Sequence, residues 1–279
     1  MQKARIVRRV VLGTAALFVV WLFGVWPPPL WWRDHEPRCT AMMRLRGSGC
    51  ARPRAVGGIP PRVLRMVIIA EDSRFRTHHG IDFIELRDAL GVQAGRRLWG
   101  TIRAAWRARD QLRGASTITQ QLAKNLYLSP SRNPLRKLKE AVTALRLELA
   151  LSKERIMELY LNVVEWGPDV WGIAAASEAY FGAPPSQLTD AQAAALAATL
   201  PQPRTSNPAY RPGRMLARRD LILARYYGGR VAVPRAVEDS TIPDIPPITA
   251  PLLPPVIDSL MDSIRVQTDS GKDSLVHQP

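Results

Sequence analysis

Cysteine and histidine are scarce in this sequence of 279 residues, which contains two cysteines, Cys39 and Cys50, and four histidines. Two cysteines that are not accompanied by a pair of histidines make a poor zinc site, so we predict no metal site at the cysteines. In an oxidising compartment the two thiols can close a small loop, and the sequence leaves open whether they do. There is no internal repeat either, so nothing indicates a repeat architecture.

Long apolar segments are also rare, and one uncharged run, Val10–Trp26, is near the short limit for a helix that crosses a bilayer. Basic residues precede the run and tryptophans cluster at its far end, as is typical of the two membrane interfaces. A cleaved signal peptide is the alternative, but WPPPLWW follows the run in place of a small-residue cleavage site. We therefore predict a retained anchor at residues 10–26, with residues 1–9 in the cytoplasm and the rest on the outer face of the inner (cytoplasmic) membrane.

Acidic residues are outnumbered, because 24 Asp and Glu stand against 39 Lys and Arg and give a formal net charge of +15. The segment from Val231 onward is itself acidic, so the body of the chain is more basic than this sum. A membrane-anchored domain outside the cytoplasm meets little nucleic acid. Anionic headgroups and lipid-linked phosphates are therefore the expected partners.

A short apolar run, VLRMVIIA, leads directly into EDSRFRTHHG, which begins at Glu71. Periodicity does not separate helix from strand in so short a run. A carboxylate in this position is partly desolvated, which favours its protonated form and suits a general base. The alternative is an ordinary carboxylate at a helix end, paired with Arg74. We interpret His78 as a hydrogen-bonded structural residue.

Polar and basic groups concentrate in the stretch Arg113–Glu140. Thr117 and Gln120 have the spacing of a capping box, and the predicted helix buries a stripe formed by Ile118, Leu122 and Leu126.

A second helix is predicted to begin at Asn133, with a proline in its first position. Arg136 and Glu140 lie one turn apart on it, and its predicted buried side consists of Leu138, Val142, Leu145 and Leu149.

These two helix starts carry a hydroxyl, amides and several cations, and helix N-termini favour anions. The stretch therefore predicts a site for an anionic leaving group, held by Ser116, Lys124 and Arg132 while Glu140 orders the cations. A solvated helix face with an ordinary surface ion pair is the alternative.

The runs GASTITQQLAKN, RKLKE and EDSRFRTHHG strongly resemble the peptidoglycan glycosyltransferases, the glycan-polymerising domains of class A penicillin-binding proteins and their monofunctional relatives. The resemblance spans roughly residues 60–226. It implies a mainly α, lysozyme-like, two-lobed domain that polymerises lipid II by inverting glycosyl transfer and releases undecaprenyl pyrophosphate.

In this resemblance Glu71 is the catalytic base, and Glu140 is the second catalytic carboxylate. Lipid II, the growing lipid-linked glycan and the membrane are the implied partners, with wall-synthesis proteins as further candidates and no nucleic acid. No cofactor is required, although Glu140 is a candidate ligand for Mg²⁺ or Mn²⁺. The residues expected to bind the pyrophosphate or donor are Ser116, Gln120, Gln121, Lys124, Asn125, Arg132, Arg136 and Lys137.

The predicted organisation is an anchor, a linker at residues 27–59, a catalytic domain at residues 60–230 and a proline-rich, mostly disordered tail at residues 231–279. The tail is too short for a serine transpeptidase domain, so we expect a monofunctional enzyme. Two other functions stay open at this point. One is a lysozyme-like enzyme that cleaves peptidoglycan, and the other is an inactive membrane scaffold for wall synthesis.

Overall fold

The computed structural model describes residues 2–48, 50, 57–89, 116–131 and 133–234, and within these ranges the chain is mainly helical, which confirms the predicted fold class. A two-stranded antiparallel hairpin and two short 3₁₀ helices, Pro29–Arg33 and Pro185–Gln187, complete the described elements. The predictions for Arg132 and for residues 235–279 lie outside the described ranges. The helices and strands are α1 Gln2–Phe23, α2 Ala41–Leu45, α3 Pro61–Glu71, α4 Phe83–Ala89, α5 Ile118–Tyr127, α6 Pro134–Ala150, α7 Lys153–Val163, β1 Glu165–Gly167, β2 Val170–Trp171, α8 Ile173–Phe181, α9 Asp190–Thr199 and α10 Gly213–Tyr226.

Helix α1 is long and apolar enough to cross a membrane. Its apolar part, Ala4–Phe23, has a mean hydropathy of 2.0 and none of it is buried against the rest of the protein. The C-terminal end of α1 nevertheless contacts α6: Arg146 donates a hydrogen bond to the carbonyl oxygen of Phe23, and Lys139 Nζ lies 5.0 Å from the ring centroid of Trp21. The anchor is therefore joined to the folded body by side-chain contacts as well as by the chain.

The predicted helix starts are confirmed. Thr117 and Gln120 form a reciprocal capping box at α5, and the Asn133 side chain accepts a hydrogen bond from the backbone N–H of Leu135 at α6. Ser152 caps α7 in the same way. These bonds satisfy N–H groups that have no partner inside a helix.

The core forms where α3, α5, α7, α9 and α10 pack together. The predicted stripe of α5 is confirmed, because Ile118 and Leu122 are fully buried and Leu126 is nearly so. Alanines fill most of α9, so that α3 and α10 pack closely against it. The core thus fixes the end of α3 next to α5 and α10.

The predicted buried side of α6 is wrong. Leu138, Leu145 and Leu149 are exposed, the last to 88%, and Val142 is half-buried. The side that is buried consists of Glu140, Thr143, Ala144 and Leu147. Small side chains allow the close approach of neighbouring backbone here, so packing selects this face although the leucine stripe is more apolar.

The two cysteines form a disulfide bond, which closes a loop with a sequence separation of 11. The loop contains α2, which packs against α5 and whose first turn is capped by the side chain of Thr40. Just after α2, Arg46 contacts the buried carboxylate of Glu165 at 3.5 Å. The segment predicted as a linker is therefore folded onto the domain over this loop.

Candidate active site

Glu71 is the last residue of α3, and the residue is only 8% exposed. Gln121 Nε2, on α5, donates a hydrogen bond of 3.0 Å to Glu71 Oε2. The amide of Gln121 is itself oriented, because Tyr160 donates its hydroxyl proton to Gln121 Oε1 at 2.8 Å. Three helices, α3, α5 and α7, therefore determine the position of this carboxylate.

Arg218, on α10, is a further partner of Glu71 that the sequence analysis missed. Its Nη2 lies 3.3 Å from Glu71 Oε1 and donates to the carbonyl oxygen of Ala70 at 2.6 Å. A signal was available, since Arg218 lies between Met215 and Ile222 at helical spacing in an apolar stripe, where a solvated arginine is not expected. The alternative pairing of Glu71 with Arg74 is not seen; Arg74 instead pairs with other carboxylates.

Asp72 joins the end of α3 to the start of α5. It is fully buried, and its Oδ2 accepts a hydrogen bond of 3.0 Å from the backbone N–H of Ile118. His78 Nε2 lies 2.9 Å from the same oxygen, which agrees with the structural role predicted for this histidine. Thr117 adds a third connection by donating its hydroxyl proton to the Gly80 carbonyl oxygen at 2.6 Å. No feature of the sequence pointed to this role of Asp72.

Gly80 is required for this connection. Its φ is +84°, and a Cβ atom at this position would lie 3.1 Å from the backbone carbonyl of Ala144 in α6. A larger residue would therefore be strained in backbone and would push the loop away from α6.

Glu140 is the centre of a cationic cluster. Its side chain is 2% exposed, Arg136 Nη1 lies 2.5 Å from Oε2, and Lys137 Nζ contacts Oε1. Lys137 Nζ also donates to the hydroxyl of Ser116 at 2.8 Å. This is not an ordinary surface pair, because the carboxylate is buried and holds two cations beside the N-terminal end of α5.

The remaining predicted residues of α5 fall into two groups. The Gln120 side chain closes the capping box by accepting a hydrogen bond from the Thr117 backbone N–H, and Asn125 donates to the carbonyl oxygen of Gln121. Both therefore support the helix. Lys124 is half-buried three residues beyond Gln121, so the two side chains share a side of α5.

Two groups of carboxylates among the described residues could hold a divalent cation, and each already contacts cationic side chains. Both oxygens of Glu140 already accept hydrogen bonds from cationic groups. Asp72, His78 and Asp82 bring potential ligand atoms within 4.8 Å of one another, but Arg74 pairs with Asp82 through two hydrogen bonds of 2.7 and 2.9 Å. Cationic side chains thus already supply positive charge around Glu140 and around Asp82.

Comparison with known proteins gives a consistent result. Residues 50–227 match the family model described as Transglycosylase. A protein of Thiobacillus denitrificans named biosynthetic peptidoglycan transglycosylase is 40% identical over 240 residues, covering 81% of this chain and 95% of that protein. Proteins of the same name from Azoarcus sp. and Alcanivorax borkumensis are each 38% identical, covering 78% and 89% of this chain and 93% and 96% of their own lengths.

Proposed function

Because this chain belongs to the transglycosylase family, we propose that it polymerises lipid II into the glycan strands of peptidoglycan. The single observation that supports this most directly is the position of Glu71. A buried carboxylate at the end of α3 contacts α5, and the N-terminal end of α5 lies beside the cationic cluster around Glu140. A base and an anion-binding group are thus connected through one helix.

In the proposed reaction Glu71 accepts the proton of the 4-hydroxyl group on the acceptor sugar. The oxygen attacks the anomeric carbon of the donor chain, and the bond from that carbon to the pyrophosphate breaks. The configuration inverts, undecaprenyl pyrophosphate leaves, and the proton stays on Glu71. The logic is that of an inverting glycosidase in which a sugar hydroxyl replaces water.

The leaving pyrophosphate gains negative charge as the bond breaks, and fixed cations stabilise that charge. We assign this role to Ser116, Lys124, Arg132, Arg136 and Lys137, with Glu140 holding Arg136 and Lys137 in place. Gln121 orients Glu71, whereas Gln120 and Asn125 act through the fold of α5. The proposed steps use no metal ion, because the surroundings of Glu140 are already cationic.

The anchor gives the reaction its location. Basic residues at the start of α1 favour the cytoplasmic side, so the catalytic domain lies on the outer face of the inner membrane. The outer end of α1 contacts α6, the helix that also carries Glu140 and its cations. The site is therefore close to the surface at which lipid II and the lipid-linked glycan present their pyrophosphates.

A peptidoglycan-cleaving enzyme would have no use for a pyrophosphate-binding cluster, and an inactive scaffold would have no use for an oriented carboxylate. The structure thus favours neither alternative. Residues that bind wall-synthesis proteins are not identified by any described feature.

Polymerisation of labelled lipid II by purified full-length protein tests the proposal. We expect glycan strands from the wild type, a loss of at least about a hundredfold for Glu71→Gln, because a general base is removed, and a similar loss for Lys124→Ala. Leu45→Ser, on the exposed side of α2, is the control and should polymerise normally. Cleavage of finished glycan without use of lipid II would contradict the function, and wild-type rates for both site variants would contradict the site.

A further inference from the structure

Arg218 contacts the proposed base from α10, 147 positions further along the chain. Its Nη2 is shared between Glu71 Oε1 and the Ala70 carbonyl oxygen, and Nη1 donates to the carbonyl oxygen of Pro234 beyond the end of α10. The guanidinium is therefore held at three points. The residue is 9% exposed, so little water competes for these contacts.

The surroundings of Glu71 make a cation necessary. The carboxylate is buried, and it occupies the C-terminal residue of α3, where the helix dipole places partial negative charge. Burial and the dipole both oppose the ionised form that a base must have. A buried guanidinium offsets both effects, and it also satisfies the Ala70 carbonyl, which has no partner within the helix.

We propose that Arg218 is a positioning residue for the glycosyl transfer, which holds Glu71 ionised and in one orientation so that its carboxylate is ready to accept the proton of the acceptor hydroxyl. This inference depends on the proposed function, since it assigns Glu71 the role of base. Arg218 itself does not need to touch either sugar.

The hydrogen bonds that α5 and α7 contribute at Glu71 come from neutral side chains. From α5 the contact is the amide of Gln121, and from α7 it is the Tyr160 hydroxyl acting through that amide. Asp72, the next residue in the chain, directs its carboxylate to His78 and the backbone of Ile118. The facing part of α9 consists largely of alanines, and Lys124 is a further cation on the same side of α5 as Gln121.

The geometry of the guanidinium group, which has two terminal nitrogens, explains why position 218 is an arginine. One nitrogen serves the carboxylate and the end of α3, while the other serves the backbone after α10. A lysine has a single nitrogen and cannot satisfy all three acceptors in this arrangement. Lysine should therefore keep the charge but lose part of the orientation, which separates the two contributions of Arg218.

The test measures kcat, KM and the pH dependence of lipid II polymerisation for wild type, Arg218→Gln and Arg218→Lys as full-length proteins. We expect Arg218→Gln to lower kcat about a hundredfold, with KM unchanged, and to move the acidic limb of the rate profile upward by about one pH unit, because an adjacent opposite charge has been removed. Arg218→Lys should lower kcat about tenfold and leave the acidic limb in place.

Arg219 provides a matched control. It is buried to a similar degree on the same helix but pairs with Asp220 instead of Glu71. Arg219→Gln should lower the melting temperature without moving the pH profile. If the acidic limb of the pH–rate profile of Arg218→Gln coincides with that of Arg219→Gln, the inference is overturned.

If Arg218→Gln does not fold, Arg218→Lys decides the question, because a wild-type kcat for this variant would also overturn it. Failure of the wild type to polymerise lipid II would instead reject the proposed function. An active wild type, an inactive Glu71→Gln and an Arg218→Gln that behaves like the wild type would reject only the role of Arg218.

Discussion

Each carboxylate that this fold buries at or near the site has a specific partner. A buried ion is stable only when its charge and its hydrogen bonds are matched, and removing one partner leaves the other uncompensated. Conservative substitutions at these positions should therefore lower the free energy of unfolding by more than their small change in shape suggests. The pairs are Glu71 with Arg218, Asp72 with His78, Asp82 with Arg74, Glu140 with Arg136 and Lys137, and Glu165 with Arg46 and Arg204.

The pair formed by Asp82 and Arg74 makes stability dependent on pH. Burial acts to raise the pKa of the Asp82 carboxyl, but hydrogen bonds from Arg74 and from the backbone of Glu85 outweigh burial and hold this pKa below its ordinary 3.8. Because the pKa is depressed in the folded state, the stabilisation is present above pH 3.8 and is lost as the pH falls through the lower folded value.

We therefore expect Asp82→Asn to lower the free energy of unfolding by about 2 kcal/mol near neutral pH. Urea titrations at a series of pH values should show the difference from wild type shrinking in acid. Asp88→Asn changes an exposed carboxylate and is the control, with little effect at any pH. A difference for Asp82→Asn that stayed constant well below pH 3.8 would contradict this account.

The sequence revealed the chemically distinctive residues but not all of their partners. Glu71 and Glu140 stood out because they lie in short runs of unusual composition that resemble a known family. The contact between Arg218 and Glu71 spans 147 positions, and no local pattern encodes so distant a pair. Asp72 was missed for a related reason, since its partner is a backbone N–H group, which any residue supplies.

Helices in this protein begin where their sequences predict, but one of them buries a different face. Capping depends on two or three adjacent residues, so it can be read locally at Thr117 and Asn133. The orientation of α6 depends on what packs against it, namely α5 and the Gly80 loop. Hydrophobic periodicity alone could not anticipate that Leu138, Leu145 and Leu149 would face outward.

The disulfide loop around α2 gives a prediction at the level of an element. Closing this loop restricts the unfolded chain, so replacing both Cys39 and Cys50 with serine should lower the free energy of unfolding by about 2–3 kcal/mol. Denaturant titration of the double variant measures this loss, and reduced wild-type protein is the control that should behave in the same way. A loss below about 0.5 kcal/mol would show that contacts such as Arg46 with Glu165 hold the loop without the disulfide.

At the scale of the whole molecule, the anchor and an exposed apolar stripe lie side by side. The stripe consists of Leu135, Leu138, Leu145 and Leu149 on α6, and the same helix contacts the C-terminal end of α1. Isolated exposed leucines need no explanation, but a stripe next to a membrane anchor suits contact with the lipid surface. The basic charge of the body acts in the same direction.

Serine at Leu138 and Leu149 should therefore weaken activity only where a bilayer is present. We expect the double variant to polymerise lipid II several-fold more slowly than wild type in proteoliposomes, since about 1–2 kcal/mol of apolar contact is lost. In detergent micelles, the matched control, the two proteins should be equal. Equal rates in both media would contradict contact of this stripe with lipid.

Lys139 and Arg146 hold the C-terminal end of α1 against the folded body, and this contact also affects where the growing glycan strand can go. A catalytic domain on a flexible linker could move away from the membrane along the growing strand. A domain that is held against its anchor stays at a fixed distance from the membrane. We therefore expect each sugar unit to be added at the same distance from the lipids, so that the finished part of the strand moves away from the membrane while the enzyme stays in place.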